Sequence, residues 1–401
     1  MKKNKIWCIS KYASPESYGP STKLYNTAMY LSAFHNLTLI TSNANQKATY
    51  PNSNLKINVE QIKTLRHVWI NLPKFHKSRS FKRLFGWFMF DNYVAKLPKE
   101  LDEIPDIILI SSLPLTTIHW ALSMKKRYGT KVIFEVRDIY PLTLTEMGYS
   151  KFNPIIMYFA YLEKIGYKYS DLIVGTMSQL SIHVEKILGY KKETFYSPIG
   201  LSPLFQHNAI KKLDLGIHSN KIIIGYVGSI GRANNLDIFI DVINYFNTND
   251  QIHFLIVGDG EFLDIYRNKT GTNCTFYGYI PPNDVHIALN TCNILYFSTS
   301  DSQVMKYGQS LNKLKEYLAS GKPIVASYEG YLEDYLKEAG IYYCKINDVR
   351  SLIFQIKFVM KFNSIELKKI SIKNKAIVST NFEYDSLNKK YHSLIEYLSA
   401  N

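Results

Sequence analysis

The sequence predicts an α/β protein of two doubly wound domains facing a cleft, each a mostly parallel sheet with helices on both faces. Three observations lead there. Short β-branched or aromatic runs alternate with helical patterns along the whole chain, as strands joined by crossover helices do. The alternation lapses once, at residues 198–220, a linker-like stretch with Gly200, Pro203 and Gly216. The length, 401 residues, exceeds one ordinary core and suits two of about 180 residues each.

In the first half the pattern predicts strands at 6–10, 37–41, 57–60, 107–111, 132–136, 172–176 and 194–197. A helix is expected from about residue 21 to 33, with Leu24, Ala28 and Leu31 on one face and Ser21 as N-cap. The second series places strands at 222–227, 253–257, 275–279, 294–297, 324–326 and 341–343. Residues 384–400 read as an amphipathic helix with Leu387, Tyr391, Leu394 and Leu398 on one side. In open sheets of this kind ligands bind beyond the carboxyl ends of the strands, so chemistry is expected in the cleft.

Composition narrows the classes. Hydrophobic residues make up 46% and aromatics 14%, enough for two cores and unlike a disordered chain. Cys8, Cys274, Cys292 and Cys344 are scattered without metal-ligand spacing, and most sit in apolar stretches, as buried free thiols do. The apolar run after the basic N-terminus is too short for a signal peptide, and no stretch reaches the roughly 20 apolar residues of a membrane span. A cytoplasmic protein is expected.

A formal charge of +15 calls for an acidic partner. In residues 74–90 the cations Lys74, Lys77, Arg79, Lys82 and Arg83 precede Phe85, Trp87, Phe88 and Phe90. This order suits contact with an anionic membrane surface, or a core helix with a solvated basic end. No nucleic-acid motif is present, and no nucleic-acid partner is expected.

The most informative stretch is 294–327. A strand is expected to run into a loop containing Gly308, then a short helix capped by Ser310 and ended by Gly321, with Pro323 leading into the next strand. The loop and helix start, with backbone N–H groups at Gly308–Ser310 and the positive helix end, favour a phosphate. Lys313 falls in the first helical turn, where the dipole disfavours cations; a bound dianion would compensate it. Glu316 lies about one turn deeper, where a carboxylate can accept hydrogen bonds from ribose hydroxyls. The bland alternative is a routine surface connection between strand and helix.

Gly308, Ser310, Asn312, Lys313, Leu314, Glu316, Gly321, Lys322 and Pro323 resemble the donor motif of the retaining glycosyltransferases of family 4. The likeness is to the bacterial O-antigen and capsule branch, including N-acetylfucosamine-type transferases, with Leu311 where that branch has proline. Gly19-Pro20 resembles the family's N-terminal glycine loop, and Phe134–Pro141 its Glu-x-Arg-Asp-x-Trp-Pro segment. Residues 197–200, 257–260 and 276–279 resemble further turns in the family's order.

The resemblance implies the GT-B fold of two Rossmann-like domains. Residues 1–200 would bind the acceptor, 201–380 the donor nucleotide, and 381–401 would form a helix crossing back to the first domain. It implies transfer from a nucleotide diphosphate-sugar, UDP-linked, to a lipid-linked saccharide at the inner face of the cytoplasmic membrane, with retained configuration. With no Asp-x-Asp in a suitable loop, neither a cofactor nor an essential metal is expected. Donor contacts would come from Gly19, Ser229, Arg232, Gly278, Tyr279, Ile280, Gly308, Ser310, Leu311, Asn312, Lys313 and Glu316. Lys313 and Glu316 would carry catalysis with Asp138, which orients or deprotonates the acceptor hydroxyl unless it serves a salt bridge with Arg137 or a turn.

The chain departs from the family at two points. Gly308 stands where the wider family has the first of two glutamates. Ser229 and Asn234 stand where it has an arginine and a lysine, leaving Arg232 and Lys313 to grip the diphosphate. His119 and His183 lie in helical patterns and read as structural. Two other functions share these features: a sugar-nucleotide 2-epimerase on the same fold, which would turn over donor without acceptor, and a non-catalytic nucleotide- or nucleic-acid-binding protein.

Overall fold

The computed structural model describes residues 3–19, 22–45, 48–74, 81–202, 205, 211–218, 220–308 and 312–400. The chain divides into two compact units: Met1–Ile199 with Tyr384–Asn401, and Gly200–Glu383.

The sheet of the first unit is built from β1 (Lys5–Ile9), β2 (Asn36–Ser42), β3 (Ile57–Ile62), β4 (Leu65–Ile70), β5 (Ile107–Ser111), β6 (Lys131–Val136), β7 (Leu172–Gly175) and β8 (Phe195–Tyr196). Their spatial order is β3-β4-β2-β1-β5-β6-β7-β8, parallel except for the β3–β4 hairpin. Parallel strands buried on both faces need continuous apolar runs. Strand β5, Ile-Ile-Leu-Ile-Ser, is buried throughout. Strand β4 was not expected from the sequence, because Arg66 and His67 interrupt its apolar run. Both are satisfied locally: Arg66 by Glu103 at 2.5 Å, and His67 by Glu60 at 2.7 Å. Lys63, at φ 53, makes the tight turn that joins β3 to β4.

The first helix also differs from expectation. It runs Lys23–Leu31, with Thr22 at the N-cap position and no side-chain cap; Ser21 lies outside the described residues. Its first residue, Lys23, is buried and paired with Glu135 of β6 at 2.7 Å. The C-terminal helix Tyr384–Ala400 packs in this unit, placing Tyr391, Ile395 and Leu398 among Ile6, Leu24, Leu37 and Ile133. Asn388 bonds Thr27 Oγ1 at 3.0 Å and the Asn26 carbonyl at 3.3 Å. Its buried face includes Leu387, Tyr391 and Leu398 as expected but uses Ile395 in place of Leu394, which is only partly buried.

The second unit is a parallel sheet of β9 (Ile222–Val227), β10 (Ile252–Val257), β11 (Cys274–Gly278), β12 (Ile294–Ser298), β13 (Ile324–Ser327) and β14 (Ile341–Cys344). The order is β11-β10-β9-β12-β13-β14, so the direction of winding reverses between β9 and β12. One apolar layer gathers Phe239, Phe254, Tyr296 and Ile356, the other Leu255, Leu295, Tyr317 and Ile324. The four cysteines are free thiols, three of them buried.

Candidate functional site

The switch point between β9 and β12 is where a doubly wound sheet opens a crevice for ligands. The helix Asn312–Ser320 lies against this edge. Its register is fixed by Tyr317, fully buried, whose hydroxyl accepts from Val227 N–H at 2.8 Å and donates to the Val227 carbonyl at 3.0 Å. The last residue of β9 is thus tied to the second turn of the helix, one turn beyond Lys313.

Lys313 reaches over the end of β9. Its ammonium donates to the Tyr226 hydroxyl at 2.5 Å and to Oδ1 of Asn234. Asn234 is itself positioned by donating to the Ser229 carbonyl (2.8 Å) and hydroxyl (3.0 Å). The Lys313 stem crosses Gly228, at φ 156, so closely that any Cβ there would collide with Cε. Glycine is needed at 228 for that close approach. Two neighbouring turns are equally tight: Gly258 packs on the Gly228 carbonyl and Gly260 on the Ile230 carbonyl.

Burial pushes the Lys313 ammonium down to about 7, with Glu316 opposing only in part. Burial pushes Glu316 up, while Lys315 and Lys313 pull it down. Among the described residues no group hydrogen-bonds the Glu316 carboxylate. The site therefore holds a desolvated cation and a desolvated carboxylate about one turn apart on a helix.

Ser229, Asn234, Lys313 and Glu316 are brought to the same edge of the second unit. Arg232 is not brought into the Lys313 cluster: it is exposed and its Nε lies 3.5 Å from Glu261. Gly308, at φ 77, uses its N–H on the Met305 carbonyl at 3.2 Å, so this N–H is not free for a phosphate as expected. Gln309, Ser310 and Leu311 lie outside the described residues, and so does the expected Ser310 cap. Gly278 ends β11 at φ 88 and accepts from Gly258 N–H at 2.8 Å; Tyr279 is exposed and Ile280 packs on the core. Sequence reasoning missed Tyr226. An apolar strand hides its hydroxyl, which donates to the Ser229 carbonyl at 2.6 Å and gains a place in the site through the approach of Lys313.

In the first unit, Gly19 closes a turn on Pro15 at 3.1 Å. Asp138 follows β6, and its backbone N–H and that of Arg137 both donate to Ser112 Oγ, at 3.3 and 3.0 Å. His183 pairs with buried Glu163 at 2.7 Å between helices, and His119 stacks on Tyr158.

Residues 221–361 match the family described as Glycosyl transferases group 1. No curated protein matches the sequence. The fold is similar to sucrose-phosphate synthase from Thermosynechococcus elongatus, with a TM-score of 0.72 and 14% identity over 100% of both chains. It is also similar to a trehalose-6-phosphate protein from E. coli bound with UDP-2-fluoro glucose, at TM-score 0.72 and 12% identity over 97% of this chain and 98% of that one. Anabaena HepE in complex with UDP and glucose is similar at TM-score 0.65 and 12% identity, over 98% and 100%. The class so defined is an α/β protein of GT-B fold with parallel-sheet, Rossmann-like domains. The family match falls within its second unit.

Proposed function

We propose that the protein is a retaining glycosyltransferase. It moves a hexosyl or N-acetylhexosaminyl group from a UDP-sugar to a lipid-linked saccharide in surface polysaccharide synthesis, without an essential metal. The observation that carries the donor half is Lys313, a cation held out of water by two neutral partners at the switch point. Such a group is costly unless an anion joins it. A diphosphate supplies that anion, and departure of the sugar builds further negative charge on the β-phosphate, where a fixed cation helps most. Glu316 accepts from the ribose hydroxyls, Ser229 lies beside the phosphates, and the backbone at Gly278–Ile280 reads the base. Asp138 orients the acceptor hydroxyl, and a phosphate oxygen takes its proton as it attacks on the face the diphosphate leaves. The experiment is a thermal-shift panel of sugar nucleotides followed by an assay of UDP release. A donor present at a hundred times its Kd should stabilise the protein by about 2.7 kcal/mol. An empty panel would reject this reading.

Donor affinity is expected to depend on pH through Lys313. With its free value near 7, the amine is mostly neutral at pH 9, whereas the bound diphosphate holds it protonated. Binding above pH 7 therefore takes up a proton, and affinity falls toward pH 9 by up to about tenfold per unit. Calorimetry in buffers of different ionisation enthalpy measures this uptake directly. Equal affinity at pH 6.5 and 8.5 with no proton uptake would show that Lys313 does not meet the phosphates.

Membrane contact is assigned to the basic–aromatic segment 74–90. Residues 75–80 lie outside the described residues, but the helix Phe81–Val94 follows. It buries Trp87, Phe90 and Val94 and leaves Phe85 and Phe88 at 62% and 46% exposure. The segment thus supplies both core and exposed apolar groups. Among the described residues no helix is long and apolar enough to cross a membrane. Reversing Lys74, Lys77, Arg79, Lys82 and Arg83 is expected to weaken binding to anionic vesicles at low salt by tenfold or more. Unchanged binding in co-sedimentation would remove this contact from the scheme.

A further inference from the structure

The first unit contains a cavity of about 440 Å³ that none of the donor residues lines, within the range of about 300–1,000 Å³ typical of small-ligand clefts. It lies at the carboxyl edge of the sheet: Asn43 directly follows β2 and Asn71 directly follows β4, and both line it. From that floor, residues 50–56 form the opposite wall.

The floor is fixed by its own hydrogen bonds. Asn43 donates to Asn71 Oδ1 at 2.7 Å and accepts from Leu72 N–H at 2.8 Å. Asn71 donates to the Ser53 and Leu55 carbonyls at 2.8 and 2.7 Å, which binds the floor to the wall. Tyr50 lines the cavity from a buried position, its hydroxyl on Thr41 at 2.9 Å and on the Ala13 carbonyl at 3.2 Å. Thr49 N–H donates to the Tyr18 carbonyl at 2.7 Å. The wall is therefore joined to the loop after β1 that ends in Gly19, and a ligand would meet a preorganised surface.

What remains open to a ligand has a definite chemistry. Asn52 and Asn54 are exposed, and among the described residues no hydrogen bond engages their side chains. Each amide offers both a donor and an acceptor, which is what a hydroxyl needs from its partner. Leu55, 65% exposed, adds an apolar surface for the C–H face of a pyranose. Lys56 and Lys74 supply cations to the same lining, and Lys74 also opens the basic segment 74–90. Among the described residues the one aromatic ring in the lining, Tyr50, is only 6% exposed and offers no face for stacking a base. An inorganic anion would be met by donors alone, not by a mixed amide set.

The geometry points to this cavity as a saccharide subsite: Asn52, Asn54 and Leu55 grip the sugar of the acceptor, beside Lys74. The inference rests on the reading of the first unit as the acceptor side. Ligand-observed NMR on the full chain tests it with chitotriose, maltotriose, a galacturonate trimer and inorganic tripolyphosphate as probes. At least one trisaccharide should bind, with an apparent Kd raised tenfold or more by the double variant Asn52→Ala/Asn54→Ala and unchanged by Lys313→Met. Three outcomes would overturn it: no trisaccharide binds; the double variant binds as tightly as the wild type; or tripolyphosphate alone binds and is lost with Lys56→Ala/Lys74→Ala. UDP is titrated in parallel. Saccharide binding without a UDP shift would sink the donor reading and leave the subsite standing, and the reverse result would sink the subsite alone.

Discussion

Replacing Lys313 by Met is expected to weaken UDP binding about a hundredfold and, at pH 8, to raise the melting temperature of the unliganded protein. The first effect follows from removing one partner of a desolvated charge pair, which costs about 2–5 kcal/mol. The second follows from the depressed basicity of Lys313. In the unfolded chain the amine is protonated up to about pH 10.4; in the folded protein it releases its proton near 7. Between these values the unfolded state binds more protons, so this lysine makes wild-type stability rise with pH, and its desolvation opposes folding throughout. Met keeps the alkyl stem over Gly228 and removes the amine, so a gain of a few degrees is expected. The neighbours keep other partners: Tyr226 still donates to the Ser229 carbonyl at 2.6 Å, and half-buried Asn234 still donates to the Ser229 carbonyl at 2.8 Å. Stability gained where binding is lost is the signature of a strained functional group. A Lys313→Met protein that binds UDP as the wild type does would contradict the assignment.

Removing the carboxylate of Glu135 should be the most damaging single change in the first unit. Its partner Lys23 is 2.7 Å away, and the two side chains are 0% and 2% exposed. Burial lowers the Lys23 ammonium and the Glu135 charge offsets this, with Arg137 acting against it. Glu135→Ala leaves a buried lysine without a counter-charge, which costs about 3–5 kcal/mol. The double variant Lys23→Met/Glu135→Leu replaces both charges by apolar groups and is expected to recover most of that loss, because a buried pair adds little net stability over a packed apolar pair. Urea unfolding midpoints of the wild type, the single variant and the double variant decide the matter. A double variant no more stable than Glu135→Ala would show that the pair matters by its geometry and not by its charge. The second carboxylate oxygen of Glu135 is buried without a partner among the described residues, which adds to the cost of the native arrangement.

Much of this fold was legible because parallel strands and their crossover helices announce themselves locally. Strands β5 and β9 start and end where apolar periodicity starts and ends. Strand β4 was hidden because Arg66 and His67 are satisfied by Glu103 and Glu60, and such distant or cross-strand partners leave no trace in a local window. The first helix is shorter than its sequence pattern for the related reason that Ser21 looks like a cap in sequence, while Thr22 holds the position. At the candidate site, the placement of Lys313 and Glu316 on one helix was legible from the pattern around them. Tyr226, Gly228 and Asn234 acquire their roles only where β9 meets that helix, 79 or more residues along the chain. The cavity floored by Asn43 and Asn71 escaped notice because asparagines near turns read as loop chemistry until two strand ends bring them together.

The donor assignment is tested most directly by a crystal structure of the protein with UDP bound. The β-phosphate should lie within ion-pair reach of Lys313 Nζ beyond the end of β9, with the ribose hydroxyls on the Glu316 carboxylate. UDP bound elsewhere in the second unit, with Lys313 still on Tyr226 and Asn234, would contradict it.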